Sequence, residues 1–453
     1  MKQLPRLFAI LSLAIAASCG HSVPTPLPAI QAALGAVRAD SRPRTVHVIP
    51  FYDYAKSGYE LPGTGGRGAL IGDPTALYGS TMSGGSTNCS TPFNAGSNTG
   101  CGIVYRLVPK TGTTTYKLDV LHTFKGGSGD GAASLATLFM DKSGDLYGTT
   151  FYGGQYDEGT LFKLHPKPAG GYTETIVHSF GSGQDGAYPV TGVIEVNGIL
   201  YGTTLGGGTY SLDICKASGG SPNGTCGTVY RVNPATGAER VLHSFGNGND
   251  GASPWASLLN VGGTLYGTTD LGGAPAQHLC GTVFSIGTDG SNERVVHPFY
   301  NDPDGCNPFA SLSAVNGTLY GTTCCGGGNF CPNTCNGTLF SVDLSTGKEQ
   351  VLHKFGQGQD GAEPVDPVVN VHGVLYGTTD IGGTGDCDTN GCGTVFSYAP
   401  SPTSPAYAVV HYFNGSNEGG QPTAALLYSQ GSFYGTTSFG GKKGFGAADQ
   451  LSQ

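Results

Sequence analysis

One short phrase, LYGTTDLGG at residues 265–273, recurs in close copies along this chain of 453 residues. The copies begin at Leu77, Leu146, Leu200, Leu265, Leu319, Leu375 and Phe433. Such regular recurrence of one phrase is typical of repeat architectures, in which each repeat forms one supersecondary unit. The recurrence therefore constrains the fold more than any single residue does.

One complete repeat, residues 254–299, divides into four short apolar runs that are rich in β-formers and bounded by turn residues. The runs read WASLLNV, TLYGTT, GTVFSI and RVVHPF. Gly-Gly joins the first two runs here, and Asn316-Gly317 joins them in the next copy, which is the chemistry of tight hairpins. Four antiparallel strands per repeat predict one blade of a β-propeller.

The last repeat lacks its fourth run, and an unassigned run, VHVIPF at 46–51, ends like RVVHPF. Because a closed ring leaves no open sheet edge, we expect residues 46–51 to complete the last blade. The sequence thus predicts an all-β fold over 45–453, a seven-bladed β-propeller with four antiparallel strands per blade. First strands are expected to begin near Ala69, Leu135, Val190, Trp255, Phe309, Val365 and Thr423.

The ordered motifs LYGTTxxGG, GTVF, VLHxF and DG resemble the Gloeo/Verruco (GloVer) tandem repeat of bacteria, from about residue 45 to the end. The resemblance implies a repeat of unassigned role that occurs on exported or surface-anchored proteins. The order of the strands also resembles kelch-type blades, and that likeness concerns the fold alone.

Composition agrees with a turn-rich β protein and excludes one class of partner. Glycine accounts for 78 residues, and only 12% of residues are charged, against about a quarter in typical soluble chains. The net charge is −9 and no run of Lys or Arg is present, so we expect no nucleic-acid partner.

The first residues are typical of an export signal. MKQLPR carries positive charges, and LFAILSLAIAA is apolar but too short to span a bilayer, so 1–18 is predicted to be a signal peptide. AASC resembles a lipobox, which would make Cys19 the lipidated first residue of the mature chain. Ala16 stands where a lipobox usually has Leu, so ordinary cleavage stays open. Residues 19–44 are Pro- and Ala-rich and are predicted to be a tether.

We therefore expect an exported protein of the cell envelope, held at the outer membrane or surface by a lipid anchor, or otherwise periplasmic or secreted. Membrane contact is expected through the anchor alone, and the protein is expected to be a monomer.

Of 13 cysteines, twelve remain beside Cys19, and an oxidising compartment makes disulfides the default. Three pairs share one loop each: Cys89–Cys101, Cys215–Cys226 and Cys387–Cys392. The pairing of the other six stays open: Cys280, Cys306, Cys324, Cys325, Cys331 and Cys335. A zinc site in CCGGGNFCPNTC is the alternative for four of these, but the export signal favours disulfides, and we predict no metal and no cofactor.

The polarity of the strands places the loops after second and fourth strands on one face of the ring, here called the loop face. The long insertions, the DG loops and the twelve cysteines all fall there, so it is the expected binding face. Six histidines at one repeat position are expected to be structural: His122, His178, His243, His297, His353 and His411. The carboxylates of the DG loops either form an acidic ring at the axial channel or bond local backbone amides, and turn chemistry favours the second: Asp130, Asp185, Asp250, Asp304, Asp360 and Glu418.

Departures from the repeat are where a site could be hidden. The loop 52–68 offers aromatic and charged side chains that suit a sugar or a peptide: Tyr52, Asp53, Tyr54, Tyr59, Glu60 and Arg67. Trp255 is the only tryptophan, and it is either part of a binding site or a residue of the core. Asp366 stands where most copies have Ala, and we expect its carboxylate to face the axial channel.

These residues form no catalytic constellation, so the sequence favours a binding or interaction module that acts on an extracellular glycan or an envelope protein. Two alternatives stay open. One is an enzyme acting on extracellular polysaccharide, which would need two carboxylates across a cleft. The other is a structural envelope protein, which would need no such pair of carboxylates.

Overall fold

A computed structural model describes residues 46–49, 68–73, 75–85, 89, 100–111, 116–216, 221–273, 280–300, 303–326, 336–357, 359–385, 387, 390–401, 405–416, 418–440 and 447–452. They form seven antiparallel sheets arranged as the blades of a β-propeller, each sheet with a first, second, third and fourth strand in order. Blades are numbered 1 to 7 along the chain, and the all-β prediction is confirmed.

The first strands, nearest the axis, are short: Ile71–Asp73, Phe139–Met140, Ile194–Val196, Leu259–Val261, Ser313–Val315, Val369–Val371 and Leu427–Ser429. The second strands carry the repeated phrase: Ala76–Ser80, Leu146–Thr150, Ile199–Thr204, Thr264–Thr269, Thr318–Thr323, Val374–Thr379 and Ser432–Phe439.

The third strands follow the insertions: Ile103–Pro109, Thr160–Pro166, Thr228–Val232, Thr282–Gly287, Thr338–Asp343, Thr394–Ala399 and Ala447–Ser452. The fourth strands form the outer edge: Tyr116–Thr123, Tyr172–Ser179, Glu239–Ser244, Arg294–Pro298, Glu349–Lys354, Ala406–Tyr412 and Val46–Ile49.

Smaller elements lie in the loops. Gly131–Ala132 pairs with Tyr152–Gly153, Gly186–Ala187 pairs with Gly206–Gly207, and Gly420–Pro422 pairs with the second strand of blade 7. One four-residue helix, Asp213–Lys216, lies in the insertion of blade 3.

Blade 7 is built from both ends of the chain. Val46–Ile49 pairs antiparallel with Ala447–Ser452, with Val46 opposite Leu451 and Ile49 opposite Ala448. The predicted closing strand is therefore confirmed at 46–49, while residues 50 and 51 lie outside the described part of the chain. The N-terminal strand supplies the outer edge that the C-terminal repeat lacks.

The first strands begin a few residues later than predicted, for example at Leu259 instead of near Trp255. The reason is that the residues before each first strand bond to the neighbouring blade. Thr203 Oγ1 donates to the carbonyl of Ala256 at 3.0 Å, and Thr149 Oγ1 donates to the carbonyl of Thr191 at 2.8 Å. The first Thr of the repeated phrase thus ties one blade to the next.

The glycine of the repeated phrase makes room for an aromatic ring of the third strand. Gly267 lies opposite Phe284, and a Cβ on Gly267 would stand 2.5 Å from the Phe284 ring. Thr269, the second Thr of the repeated phrase, shares a 2.9 Å hydrogen bond with Thr282 at the start of the third strand. The phrase therefore recurs because it packs each blade internally as well as against its neighbour.

Aromatic pairs hold consecutive blades together. The Phe that ends each fourth strand packs edge-to-face on the third-strand ring of the next blade, with centroids 4.9–5.2 Å apart at five boundaries. The pairs are Phe124–Phe162, Phe180–Tyr230, Phe245–Phe284, Phe299–Phe340 and Phe355–Phe396. Such pairs stabilise by about 0.5–1.5 kcal/mol beyond the area that they bury.

Candidate functional site

Disulfides staple the loop face. Cys89 bonds Cys101, Cys215 bonds Cys226 and Cys387 bonds Cys392, which are the three pairs that the spacing predicts. A fourth bond joins Cys280 to Cys306, whose pairing the sequence left open. In a chain of this kind, such bonds indicate an oxidising compartment outside the cytoplasm.

The cysteine-rich insertion of blade 5 is only partly described. Cys324 is buried, and Cys325 is disulfide-bonded. Cys331 and Cys335 lie outside the described residues. Because Cys325 forms a disulfide, the four-cysteine zinc alternative loses one of its ligands.

Each repeated histidine points at the carboxylate of the DG loop that follows its strand. His178 Nε2 lies 2.8 Å from Asp185 Oδ2, and the same contact recurs at 2.8–3.5 Å in the other five copies. Asp185 also accepts a hydrogen bond from the Gly186 amide at 2.6 Å. The carboxylates are thus used by local amides and by histidine, which supports the turn interpretation over an acidic ring at the channel.

A pocket lies on the ring axis, just before the first strands. Equivalent residues of six blades form its wall: Leu135, Val190, Trp255, Phe309, Val365 and Thr423. It encloses about 630 Å³ of empty space, including the part open to solvent. Because each first strand runs away from the loop face, the pocket lies at the loop-face end of the axis.

Trp255 is half-buried and spans the pocket. Its ring meets Phe309 edge-to-face with centroids 5.8 Å apart. It also packs against the hydrophobic clusters on both sides of the axis, one containing Leu135 and the other Val365. Trp255 therefore makes the contacts expected of a core residue and also presents part of its ring to the pocket.

Asp366 lines the same pocket, where we expected it. Thr378 Oγ1 donates to Asp366 Oδ2 at 3.0 Å, while Thr322 Oγ1 donates to its main-chain carbonyl at 3.1 Å. In other blades the Thr equivalent to Thr378 donates to a main-chain carbonyl of the next blade. In blade 6 the hydroxyl of Thr378 donates to the Asp366 carboxylate instead. The result is a carboxylate fixed at the pocket wall with 6% exposure.

Three further acids on the loop face break the repeat, and the sequence reasoning missed them. Burial raises the pKa of Asp270 to about 7, although Asn307 donates to its Oδ1 at 2.8 Å. Burial and then the charge of Asp380 raise the pKa of Glu363 to about 8. Asp270 and Asp380 directly follow YGTT, where the other copies of the phrase have Met, Phe, Leu, Cys or Ser, so comparison of that position could have revealed them.

A second cavity lies between blades 6 and 7, where Asp449 replaces the third-strand aromatic residue. Both carboxylate oxygens of Asp449 are buried, and neither has a hydrogen-bond partner in the part of the chain that the structure describes. Burial, followed by the charge of Glu418, raises its pKa well above the ordinary value. Aligning the third strands would have revealed Asp449, because the other six copies have Tyr or Phe there.

The remaining predicted site residues cannot be placed. Tyr52, Asp53, Tyr54, Tyr59, Glu60 and Arg67 lie outside the described residues. The predicted signal peptide, Cys19 and the tether lie outside them as well. Within the described ranges, no helix has both the length and the hydropathy to cross a bilayer.

Comparison with known proteins places the chain in a family. The Gloeobacter/Verrucomicrobia repeat matches residues 43–214 and again 215–389, and the chain belongs to this family of repeat proteins. It is an all-β propeller protein of unassigned role. No curated protein sequence matches the chain.

Several solved structures are similar to this chain at low sequence identity. An oligogalacturonate lyase from Vibrio parahaemolyticus is 10% identical with a TM-score of 0.48, over 90% of this chain and 97% of that one. A periplasmic gluconolactonase from Pseudomonas aeruginosa is 14% identical with a TM-score of 0.45, over 80% and 87%. An ancestral GH74 enzyme is 12% identical with a TM-score of 0.49, over 86% and 48%.

Proposed function

We propose that this protein is an exported binding module whose ligand sits in the axial pocket of the loop face. The observation that carries the proposal is the coincidence of two features on one face. The pocket wall combines the half-buried Trp255 with a fixed carboxylate at Asp366, and four disulfides hold the surrounding loops. On the opposite face the described connections are short turns, such as the one at 197–198.

The chemistry of the wall suits an extracellular glycan. The rings of Trp255 and Phe309 give an apolar surface on which a sugar can stack, and Asp366 supplies a hydrogen-bond acceptor for hydroxyls. The other proposed partner is an envelope protein that inserts a short peptide loop into the axial pocket. Lipidation at Cys19 would hold the pocket near the cell surface.

An enzyme acting on polysaccharide is the second candidate, and one observation favours it. Glu363 has a pKa of about 8, so it stays protonated near neutral pH and could donate a proton. Within the described part of the chain, however, Asp366 is the one carboxylate that lines the axial pocket. Hydrolysis by the usual route needs two carboxylates about 5–10 Å apart, so binding is the better supported function.

A glycan array and a pull-down from envelope extract test the proposal. The wild-type protein is expected to retain a glycan or an envelope protein, and Trp255→Ala and Asp366→Ala are each expected to weaken retention at least tenfold. Lys142→Ala is the matched control, because Lys142 is exposed in a turn of the opposite face. Retention of neither class of ligand, or equal loss in the control, would contradict the proposal.

Incubation with extracellular polysaccharides, followed by analysis for released products, separates the enzyme from the binding module. Product formation that is lost in Glu363→Gln would favour the enzyme. Binding without any product would favour the module. Sedimentation of the purified chain tests the expectation of a monomer.

A further inference from the structure

At four consecutive blade boundaries, side chains from two blades form the same group of three. The fourth strand of one blade gives a His, its DG loop gives an Asp, and the next blade gives a Glu four residues before its own His. The groups are His122, Asp130 and Glu174; His178, Asp185 and Glu239; His243, Asp250 and Glu293; and His297, Asp304 and Glu349.

The Glu of each group has an unused atom. Among the described residues, Oε1 of Glu174, Glu239, Glu293 and Glu349 is buried without a hydrogen-bond partner. A carboxylate that is buried beside another carboxylate is stabilised by any cation that both can share.

The boundary between blades 1 and 2 brings three candidate metal ligands close together. One ligand atom from each of His122, Asp130 and Glu174 lies within 4.8 Å of the other two, and no other group within the described ranges meets this condition. His122 Nε2 and Asp130 Oδ1 are 3.2 Å apart. Two ligands of a tetrahedral zinc ion with bonds of about 2.0 Å lie about 3.3 Å apart.

The ligands at this boundary are also held in place. The amides of Lys125 and Gly131 donate to Asp130 at 2.9 and 2.7 Å, which fixes the carboxylate. The His122 ring packs edge-to-face on Phe124 with centroids 4.8 Å apart. Support of this kind orients metal ligands and raises affinity.

The other boundaries show why the first one differs. The His–Asp contact is 2.8 Å between blades 2 and 3 and between blades 3 and 4, and 3.5 Å between blades 4 and 5, against the 3.2 Å hydrogen bond of His122 with Asp130. Between blades 5 and 6, Tyr407 takes the place of the Glu and stacks on His353 with centroids 3.7 Å apart. At the ring-closing boundary the sequence has Ile49 at the His position and Leu118 at the Glu position, so both ligands are lost together.

We propose that His122, Asp130 and Glu174 bind a first-row divalent cation such as Zn²⁺, which clasps blade 1 to blade 2. One nitrogen and two carboxylate oxygens suit such an ion, and the fourth position is left for water. The side chains of His122 and Asp130 are 19% and 13% exposed, so the ion can enter from solvent. This site is separate from the axial pocket and does not depend on its function.

The test uses the full chain, stripped with a chelator and titrated with ZnCl₂ in a calorimeter. We expect one Zn²⁺ per chain to bind at this site in wild type, and binding at least tenfold weaker in Glu174→Gln. Glu239→Gln is the matched control, because it removes the same carboxylate from a boundary with a 2.8 Å contact, and its affinity is expected to equal that of wild type. If Glu174→Gln does not fold, His122→Gln replaces it.

The outcomes are distinct. Absence of Zn²⁺ binding to wild type, or equal binding to wild type and Glu174→Gln, overturns the proposal. Cobalt substitution separates this site from the cysteines of blade 5, since only a cysteine site gives a thiolate charge-transfer band. A spectrum in which that band accounts for all bound metal also overturns the proposal. A melting temperature that rises with Zn²⁺ in wild type and Glu239→Gln alone supports the clasp.

Discussion

Two neighbouring boundaries of the ring are built from the same repeat and differ in the third-strand residue that lies opposite the conserved Phe. Between blades 5 and 6, Phe355 packs on Phe396, and both rings are fully buried. Between blades 6 and 7, Phe413 faces Asp449 across a cavity. The difference teaches that the repeat encodes packing between blades, and that a departure from it places buried polar chemistry where a ring would otherwise be.

The ring-closing blade is where this departure is tolerated. Blade 7 takes its fourth strand from the N-terminal part of the chain, so strand pairing at 46–49 holds it in place in addition to side-chain packing. A blade that is fastened by backbone hydrogen bonds from a distant segment can lose one aromatic contact and still close the ring.

The largest expected effect comes from giving the intact boundary the defect of the other. Phe396→Ala removes a fully buried ring from its contact with Phe355 and should lower the free energy of unfolding by about 3–5 kcal/mol. Phe396→Asp should cost more, because it also buries an unpaired carboxyl group. Urea denaturation followed by circular dichroism measures both, and a loss below about 1 kcal/mol in either would contradict this account of the boundary.

The reverse change should repair the defective boundary. Asp449→Phe replaces an unpaired buried carboxyl by a ring opposite Gly435, the position where a glycine admits the ring in other blades. The expected gain in the free energy of unfolding is about 1–3 kcal/mol. Asp449→Asn is the control, since it keeps the shape and polarity of the side chain. A lower melting temperature for Asp449→Phe would show that the cavity is needed for folding.

A further prediction concerns the pH dependence of the free energy of unfolding. The folded-state pKa of Asp449 lies above its unfolded value, so the folded state holds a proton that the unfolded state releases. The stabilising contribution is complete below the unfolded pKa near 4 and is lost as the pH rises through the folded pKa. The stability of wild type should therefore fall from pH 5 to pH 8 more steeply than that of Asp449→Asn, by at most about 1.4 kcal/mol per unit. Parallel pH profiles for the two proteins would contradict the burial of an unpaired carboxyl.

Much of this architecture could be predicted because the repeat is read seven times. The blade number, the closing strand at 46–49 and three disulfides follow from periodicity and spacing. The start of the first strands could not, because residues such as Ala256 bond across the blade boundary instead of within their own sheet. Sequence alone does not distinguish these two directions of pairing.

The candidate sites were harder to predict than the fold. Asp366 and Trp255 were found because each differs from its repeat partners in one aligned column. Asp449 was missed because the last repeat is divergent throughout, which hides a single substitution. The grouping of four of the six histidines with a Glu of the next blade was missed because it joins residues of different repeats, and comparison within one repeat does not connect them.

Hydrogen–deuterium exchange with a retained glycan or peptide tests the central claim that departures from the repeat on the loop face form the binding site. We expect slowed exchange in the segments that line the axial pocket, 135–137, 190–192, 255–257, 309–311 and 365–367. The hairpin turns of the opposite face, at 197–198, 262–263 and 316–317, should be unchanged. Protection of these turns, with the pocket segments unaffected, would contradict the account.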